Sequence, residues 1–232
     1  MKADYVYDVE DVPQSNDFQI GIVVSLDKKH KQMHCGVAYD LMSSINILHL
    51  KTHKKPKHDT EWGDFLCVVK PSLSTIEQEL LIPYFDAIKE SIKEGHHVIP
   101  YGFRYLEFAT IDSQGQLTLG AHGSGLTCAT YVLTLFHSNG FDLVELRDWP
   151  SREEDNNWFD GILLFFLRFA VALGFSKKNL VKIMEEKGCP RIRPEEAAVS
   201  LALYNNSPAQ TQTIMQEGNE LKEYLYEKLR TL

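Results

Sequence analysis

The sequence predicts an α+β fold, with strands in the first half of the chain and helices in the second. Two observations indicate this order. Up to about residue 50, apolar residues alternate with smaller or polar ones in short runs, which is the periodicity of strands. Later in the chain, helix-start signals follow one another at Thr127, Ser176 and Pro194. With 232 residues, the chain can form one large domain or two small ones around a sizeable core.

Three strands are predicted near the N-terminus. The first is indicated by four alternating apolar residues: Phe18, Ile20, Ile22 and Val24. Segments 34–39 and 45–50 are two further runs of apolar and β-branched residues with a turn between them. Downstream, segments 105–111 and 117–119 flank a turn that ends in Gly115, where glycine suits a positive φ, so a hairpin is expected there.

One long helix is predicted between these strands. Ser74 and Glu77 have the spacing of a capping box, and Gly95 is a suitable helix end. Pro83 is expected to bend this helix. Its apolar residues recur at every fourth position: Ile76, Leu80, Tyr84, Ile88 and Ile92.

A second helix is expected to begin at Thr127 or Cys128 and to stop before Gly140. Thr127 can serve as its N-cap, because a threonine hydroxyl accepts a hydrogen bond from a free N–H of the first turn. Its buried stripe is supplied by Val132, Leu135 and Phe136.

Segment 148–160 is polar and contains Pro150, which makes it the best candidate for a boundary. The sequence therefore predicts a core of residues 1–150 and a helical C-terminal extension of residues 151–232, packed on that core. Three helices are expected in the extension, beginning after Ser176, at Pro194 and after Ser207-Pro208.

Composition excludes several classes of protein. The net charge of −8 disfavours general nucleic-acid binding, which needs surplus cations for the phosphates. The N-terminal segment lacks the apolar run of a secretory signal, and the longest apolar run, residues 161–175, is interrupted by Arg168 and shorter than the ~20 residues of a bilayer span. We therefore expect a cytoplasmic protein with no stable membrane span. Its four scattered cysteines are expected to be free thiols.

Three residues together indicate thiol chemistry: Cys128, His34 and His49. Cys128 follows a loop of small residues and opens a helix, whose positive end favours the thiolate. His34 begins one predicted strand and His49 ends the next. If these strands pair in antiparallel fashion, both imidazoles meet at one edge of the sheet. A nucleophile, a base and a group that orients the base are what thiol catalysis requires.

Three stretches carry a resemblance to a known superfamily: His34-Cys35-Gly36-Val37-Ala38-Tyr39, Ile45-Asn46-Ile47-Leu48-His49-Leu50 and Leu126-Thr127-Cys128-Ala129-Thr130-Tyr131-Val132. They resemble the circularly permuted papain-like superfamily, which includes NlpC-type amidases and peptidases and the lecithin–retinol acyltransferase-like proteins. In its permuted members the histidine strand precedes the cysteine helix, as here. The resemblance covers roughly residues 20–140.

The resemblance implies a permuted papain-like fold, an antiparallel sheet packed on the nucleophile-bearing helix. It also implies Cys128 as nucleophile, His34 as general base and His49 as the residue that orients the base. The expected reaction is a two-step acyl transfer without a cofactor, in which the N–H of Cys128 helps to hold the oxyanion. Gln32 is a candidate second oxyanion donor, and an exposed loop residue is the alternative.

Two other interpretations remain open at this point. His49, His53 and His58, with Asp59 and Cys35, offer metal ligands, although their spacing matches no closed zinc pattern and no metal is expected. A non-catalytic binding or regulatory module is the second alternative. The expected substrate is a small acyl, peptide or lipid compound; the sequence does not distinguish peptide, isopeptide, cell-wall amide and lipid ester, or hydrolysis from transfer.

The charge is distributed unevenly. Segment 28–58 contains seven lysines against Asp40 alone, a local charge of +6, and it carries both histidines. This patch would help to stabilise a thiolate and to attract an anionic substrate. Lys54 and Lys55 are therefore expected to contribute to substrate binding, and a solvated loop is the alternative.

Overall fold

The computed structural model describes residues 3–12, 19–27, 32–40, 44–104, 109–119, 123–147 and 149–231. These ranges form a six-stranded antiparallel sheet, a small hairpin and six α-helices, so the predicted α+β class is confirmed. Phe18 and residues 105–108 of the predicted hairpin lie outside the described residues.

The main sheet has the strand order β1-β6-β2-β3-β4-β5, and every neighbouring pair is antiparallel. Its strands are β1 (Val6–Asp8), β2 (Ile20–Leu26), β3 (Met33–Tyr39), β4 (Asn46–Thr52), β5 (Lys55–Asp59) and β6 (Phe65–Val69). The three strands predicted near the N-terminus are confirmed as β2, β3 and β4. The predicted hairpin is formed by β7 (Thr110–Ile111) and β8 (Leu117–Thr118), and Gly115 in its turn has a φ of 77°.

Three strands of the sheet were not predicted: the short β1, β5 and β6. β5 consists of Lys-Pro-Lys-His-Asp, a composition that suggested a solvated loop. It is an edge strand that pairs only with β4 in the described part of the sheet, and an edge tolerates both charged residues and a proline. β6 lies between β1 and β2, and Phe65, Cys67, Val68 and Val69 are buried there. Such a strand has a continuous apolar run and lacks the period-two signal.

Helix α1 (Thr75–Lys93) begins at the predicted capping box, in which Ser74 and Glu77 bond reciprocally. It continues through Pro83, and Gly95 follows its end with a φ of 75°. The apolar residues at every fourth position do not mark the buried face of α1, because Ile76 and Leu80 are 70% and 69% exposed. Each step of four residues turns the helix by about 400°, so a long i, i+4 series drifts around the axis. The buried face instead follows steps of three and four: Gln78, Leu81, Phe85 and Ile88.

The core lies between one face of the sheet and helix α2 (Cys128–His137), with Thr127 as the predicted N-cap. Val132, Leu135 and Phe136 are fully buried, as expected. Helices α5 (Pro194–Leu203) and α6 (Thr211–Thr231) complete the same core. α5 begins at the predicted Pro194, whereas α6 begins three residues after Pro208. The C-terminal helices thus share a core with the sheet, through Val199, Leu201, Ile214, Leu221 and Leu225 among others.

Helices α3 (Glu153–Leu173) and α4 (Lys177–Met184) form a second, smaller cluster around Phe103, Phe159 and Phe166. Ser176 is the N-cap of α4, as predicted, and it forms a capping box with Asn179. α3 spans 21 residues because the polar segment 153–160 is helical too, and it is kinked at Phe169, where φ is −113° and ψ is 19°. It is the helix of the described chain that is long and apolar enough to cross a membrane, with a mean hydropathy of 1.2 in its most apolar window.

Candidate active site

His34 and His49 meet at one edge of the sheet because β3 and β4 pair in antiparallel fashion. The Nε2 of His34 lies 2.7 Å from the Nδ1 of His49, which is a short hydrogen bond between the two rings. Phe65 packs against both rings, at centroid distances of 6.0 Å from His34 and 5.7 Å from His49. The sequence-based expectation that the two imidazoles meet is confirmed.

Asp59 on β5 extends this pair. Its Oδ2 lies 2.9 Å from the Nε2 of His49, and Lys57 lies 3.5 Å from its other oxygen. Burial opposes ionisation of Asp59, but the hydrogen bond and charge of His49, together with Lys57, hold the pKa of Asp59 below its usual value. Sequence analysis considered Asp59 only as a metal ligand, because β5 was not predicted.

Cys128 is held at the start of α2 by a closely packed loop. Leu126 donates its N–H to the carbonyl of Pro100, and Gly102 donates its N–H to the carbonyl of Leu126. A Cβ at Gly125 would lie 2.1 Å from the Pro100 oxygen, so only glycine allows this approach. Thr127 and Thr130 form a capping box that uses their own two N–H groups. The N–H groups of Cys128 and Ala129 are left without an intrahelical acceptor.

The thiol of Cys128 contacts two residues of β3, Cys35 and His34. A hydrogen bond from the Cys35 side chain lowers the pKa of Cys128; burial opposes this, and the charge and hydrogen bond of His34 support it. The pKa of Cys128 is thereby held well below its usual value. Burial and the neighbouring Cys128 raise the pKa of Cys35 well above its usual value. Cys35 is thus placed as a hydrogen-bond donor to the sulfur of Cys128, a role for Cys35 that sequence analysis missed.

The hydrogen bonds assign the protons of the two imidazoles. A carboxylate only accepts, so the Nε2 of His49 carries a proton and donates it to Asp59. Burial and the charge of His34 lower the pKa of His49 to about 4, although Asp59 acts in the opposite direction. His49 is therefore neutral at pH 7, and its Nδ1 accepts from the Nε2 of His34. The Nδ1 of His34 remains for the thiol proton.

All four residues, Cys128, His34, His49 and Asp59, line one cavity of about 1000 Å³. The sheet, α2, Tyr101 and the loop of residues 62–64 form part of its wall, and the C-terminal region adds α3, α6 and the segment before α5. Arg191 stacks on Trp158 at 3.4 Å and pairs with Asp155 at 3.0 Å, which fixes both cavity residues in place. The helical extension therefore belongs to the site.

The cavity wall is mixed in charge. Its cationic side chains are Lys51, Lys57, Arg191, Arg193 and Lys222. Among its carboxylates, Asp155 is paired with arginines, whereas Glu195 is 3% exposed and burial raises its pKa. A charged substrate would thus meet lysines at the β4–β5 side and an arginine-rich wall at the helical side.

The remaining site residues predicted from sequence are placed differently. Gln32 is exposed at the cavity rim, and its carbonyl accepts the N–H of Asp27 at 2.9 Å. Lys54 and Lys55 are exposed on the β4–β5 turn and do not line the cavity, whereas Lys51 and Lys57 of the same patch do. Their contribution to substrate binding stays a prediction.

The three histidines of the metal alternative point to separate partners. His53 accepts the N–H of Tyr101 at 3.0 Å and stacks on Phe175, and His58 bonds the side chain of Asn46 at 2.8 Å. In the part of the chain that the structure describes, no three His, Cys, Asp or Glu side chains converge on a point where they could hold a metal ion.

The site therefore rests on its own geometry. It contains a low-pKa thiol at a helix start, an imidazole beside it, and a second imidazole and a carboxylate behind that one. No protein-family model, no curated protein and no solved structure matches this chain.

Proposed function

We propose that the protein is a cysteine-dependent acyl hydrolase or acyltransferase with a permuted papain-like fold. The observation that carries this proposal is the continuous series of contacts from Cys128 through His34 and His49 to Asp59, within one open cavity. A thiolate, a proton acceptor and a group that orients the acceptor are the parts that acyl transfer through a thioester requires. No cofactor is needed for this reaction.

The first step forms the acyl-enzyme. The Nδ1 of His34 takes the proton of Cys128, and the Sγ thiolate attacks the carbonyl carbon of an amide or ester. The tetrahedral intermediate collapses when His34 returns the proton to the leaving amine or alcohol, which leaves a thioester on Cys128. His49 and Asp59 keep the His34 ring in the tautomer that makes its Nδ1 available.

The second step releases the acyl group. His34 removes a proton from water, or from an acceptor amine or alcohol, as that nucleophile attacks the thioester. The Cys128 thiolate is then the leaving group. In both steps the oxyanion is expected to bind at the free N–H groups of Cys128 and Ala129, at the positive end of α2. Gln32 at the rim is the candidate second donor.

The lysines of the cavity wall support an anionic group on the substrate. We infer a small acyl, peptide or lipid substrate, with an anionic group directed towards the lysines of the β4–β5 side. Charge reversal of Lys54 and Lys55 is expected to raise the apparent KM at low salt. Reversal of Lys51 and Lys57, which line the cavity, should raise it further.

Alkylation at pH 6 tests the nucleophile. An ordinary thiol is almost wholly protonated there, so Cys128 should react with iodoacetamide at least tenfold faster than Cys35, Cys67 and Cys189, as measured by peptide mass analysis. Incubation with p-nitrophenyl acetate should then leave an acetyl group on Cys128 of the wild type and none on a folded Cys128→Ala variant. Equal reactivity of the four thiols and no acyl adduct would favour a non-catalytic binding module.

A further inference from the structure

The exposed apolar side chains of the described residues are concentrated on two consecutive helices. Seven of the ten large hydrophobic residues with high exposure lie on α3 and α4: Leu164, Phe165, Leu167, Phe169, Val171, Val181 and Met184. Val171 is 94% exposed and Leu164 68%. Only 11% of the most apolar window of α3 is buried, so α3 is not the core helix that its hydropathy would suggest. Exposed apolar patches of this kind mark interaction surfaces.

The same segment is positively charged in an acidic protein. Residues 161–184 contain four cations, Arg168, Lys177, Lys178 and Lys182, and no Asp or Glu, whereas the whole chain has a net charge of −8. All four are exposed, and none forms an ion pair with a residue that the structure describes. Val181 lies one turn after Lys177 and Lys178 and directly before Lys182, and all four of these residues are exposed.

Charge and apolarity are combined within α3 as well. Arg168 lies in the middle of the apolar residues, with its guanidinium over the ring of Phe169 at 5.5 Å. A long cationic side chain can lie along an apolar surface and keep its head at a polar boundary. Apolar side chains inserted beside exposed cations fit a membrane interface, where acyl chains and anionic headgroups meet.

The opposite side of α3 is held by the protein. Phe159 and Phe166 are buried in the second cluster, and Trp158 and Ile162 line the cavity. α3 is therefore fixed to the domain along one face while its other face is open, which is the arrangement of a helix that lies on a bilayer. A helix that crossed the bilayer would have to leave these contacts.

We propose that the exposed sides of α3 and α4, here called the α3–α4 face, dock on a bilayer surface that carries anionic lipids. The residues that insert are Leu164, Leu167 and Val171, and those that bind headgroups are Arg168, Lys177, Lys178 and Lys182. Because Trp158 and Ile162 on the same helix reach the cavity, the docked bilayer would lie along the helix that leads to the active site.

Vesicle sedimentation tests this with the whole chain. The wild type should bind vesicles of equimolar phosphatidylcholine and phosphatidylglycerol at least tenfold more strongly than vesicles of phosphatidylcholine alone, and high salt should weaken the binding. Leu167→Glu with Val171→Glu should reduce binding at least tenfold. The matched control is Ile76→Glu with Leu80→Glu, since these exposed residues of α1 lie outside the face, and it should bind as the wild type does.

The cations are tested separately. Lys177→Gln, Lys178→Gln and Lys182→Gln together should abolish the preference for phosphatidylglycerol, whereas Lys89→Gln with Lys93→Gln on α1 should leave it. Absence of vesicle binding by the wild type, or an equal loss in the control variants, would overturn the proposal. So would a wild-type dimer in solution that Leu167→Glu with Val171→Glu converts to a monomer, because the face would then bind a second copy. Since sedimentation needs no activity, failure here is distinct from failure of the acyl-transfer proposal.

Discussion

Gly36 on β3 lies directly against His49 on β4. A Cβ built at Gly36 would come within 2.8 Å of the His49 Cβ and within 2.8 Å of the Leu48 carbonyl oxygen. Real Cβ atoms essentially never approach other heavy atoms this closely, so a side chain at Gly36 would force β3 and β4 apart where the two imidazoles meet. The absence of a side chain at Gly36 thus allows the His49 imidazole to lie where it meets His34.

Gly36→Ala should therefore disturb the site through His49. We expect a loss of about 1–3 kcal/mol in the free energy of unfolding, as for other overpacked positions, and at least a tenfold slower alkylation of Cys128 at pH 6. Urea denaturation and iodoacetamide kinetics measure the two effects. Gly161→Ala is the control, because nothing lies within 4 Å of a Cβ there and its stability should be unchanged or slightly raised. Wild-type kinetics in Gly36→Ala would show that His49 tolerates the displacement.

Asp59→Asn should impair proton transfer. The substitution removes the charge of the side chain and keeps its size nearly the same. The amide can donate as well as accept, so His49 is no longer held in the tautomer whose Nδ1 accepts from His34. We expect at least a tenfold lower rate of p-nitrophenyl acetate cleavage. Asp64→Asn makes the same charge change in the same cavity and should retain the wild-type rate. A similar loss in both variants would mean that net charge, and not the orientation of His49, is responsible.

Cys35→Ala should raise the pKa of Cys128, because it removes the hydrogen bond from the Cys35 thiol to the thiolate. Hydrogen bonds to charged groups contribute about 1.5–3 kcal/mol, so the alkylation curve of Cys128 should move up by about one pH unit or more. Cys35→Ser keeps a donor and should move it less. Cys67→Ala removes the same volume from the same core, on the opposite side of β2 from Cys35. In this variant the alkylation curve of Cys128 should stay in place.

His49 should make the protein less stable as the pH falls. Its pKa is lowered to about 4 in the folded protein, against 6.5 in an unfolded chain, so between these values the unfolded state binds more protons. The stabilisation that comes from neutral His49 is fully present above pH 6.5 and is lost as the pH approaches 4. His49 contributes up to about 1.4 kcal/mol per pH unit to the slope of the unfolding free energy against pH. Urea denaturation of His49→Asn at several pH values should show a shallower slope than the wild type. His96→Asn, at an exposed position, is the control and should keep the wild-type slope. A slope in His49→Asn equal to that of the wild type would contradict the lowered pKa of His49.

Helix ends were the features that local sequence predicted well. Ser74 forms the expected capping box, Thr127 and Ser176 are the expected N-caps, and α5 begins at Pro194. A cap involves a side chain and a backbone group three residues away, so it can be identified from a short segment. The buried face of α1 could not be found in the same way, because it depends on which side of the helix the sheet occupies.

Strands β5 and β6 show why the site was incomplete at the sequence level. β5 is an edge strand rich in lysine and β6 is a short buried strand, and both lack period-two alternation. The position of Asp59 on β5 and the pairing of β6 with β2 therefore could not be predicted. Cys35 was missed for a related reason. Cys35 is a buried core residue of β3, and only the packing of α2 on that core brings it to Cys128.

By itself, the sequence determined the order of strands and helices, the helix caps, the pairing of His34 with His49 and the position of Cys128 at a helix start. These depend on periodicity and on neighbours a few residues apart. Tertiary structure decided that Asp59 supports His49, that Cys35 donates to Cys128, that the C-terminal helices form the cavity wall, and that α3 leaves an apolar, cationic side exposed. Those contacts join segments distant in the chain, and packing of the sheet and helices alone brings them together.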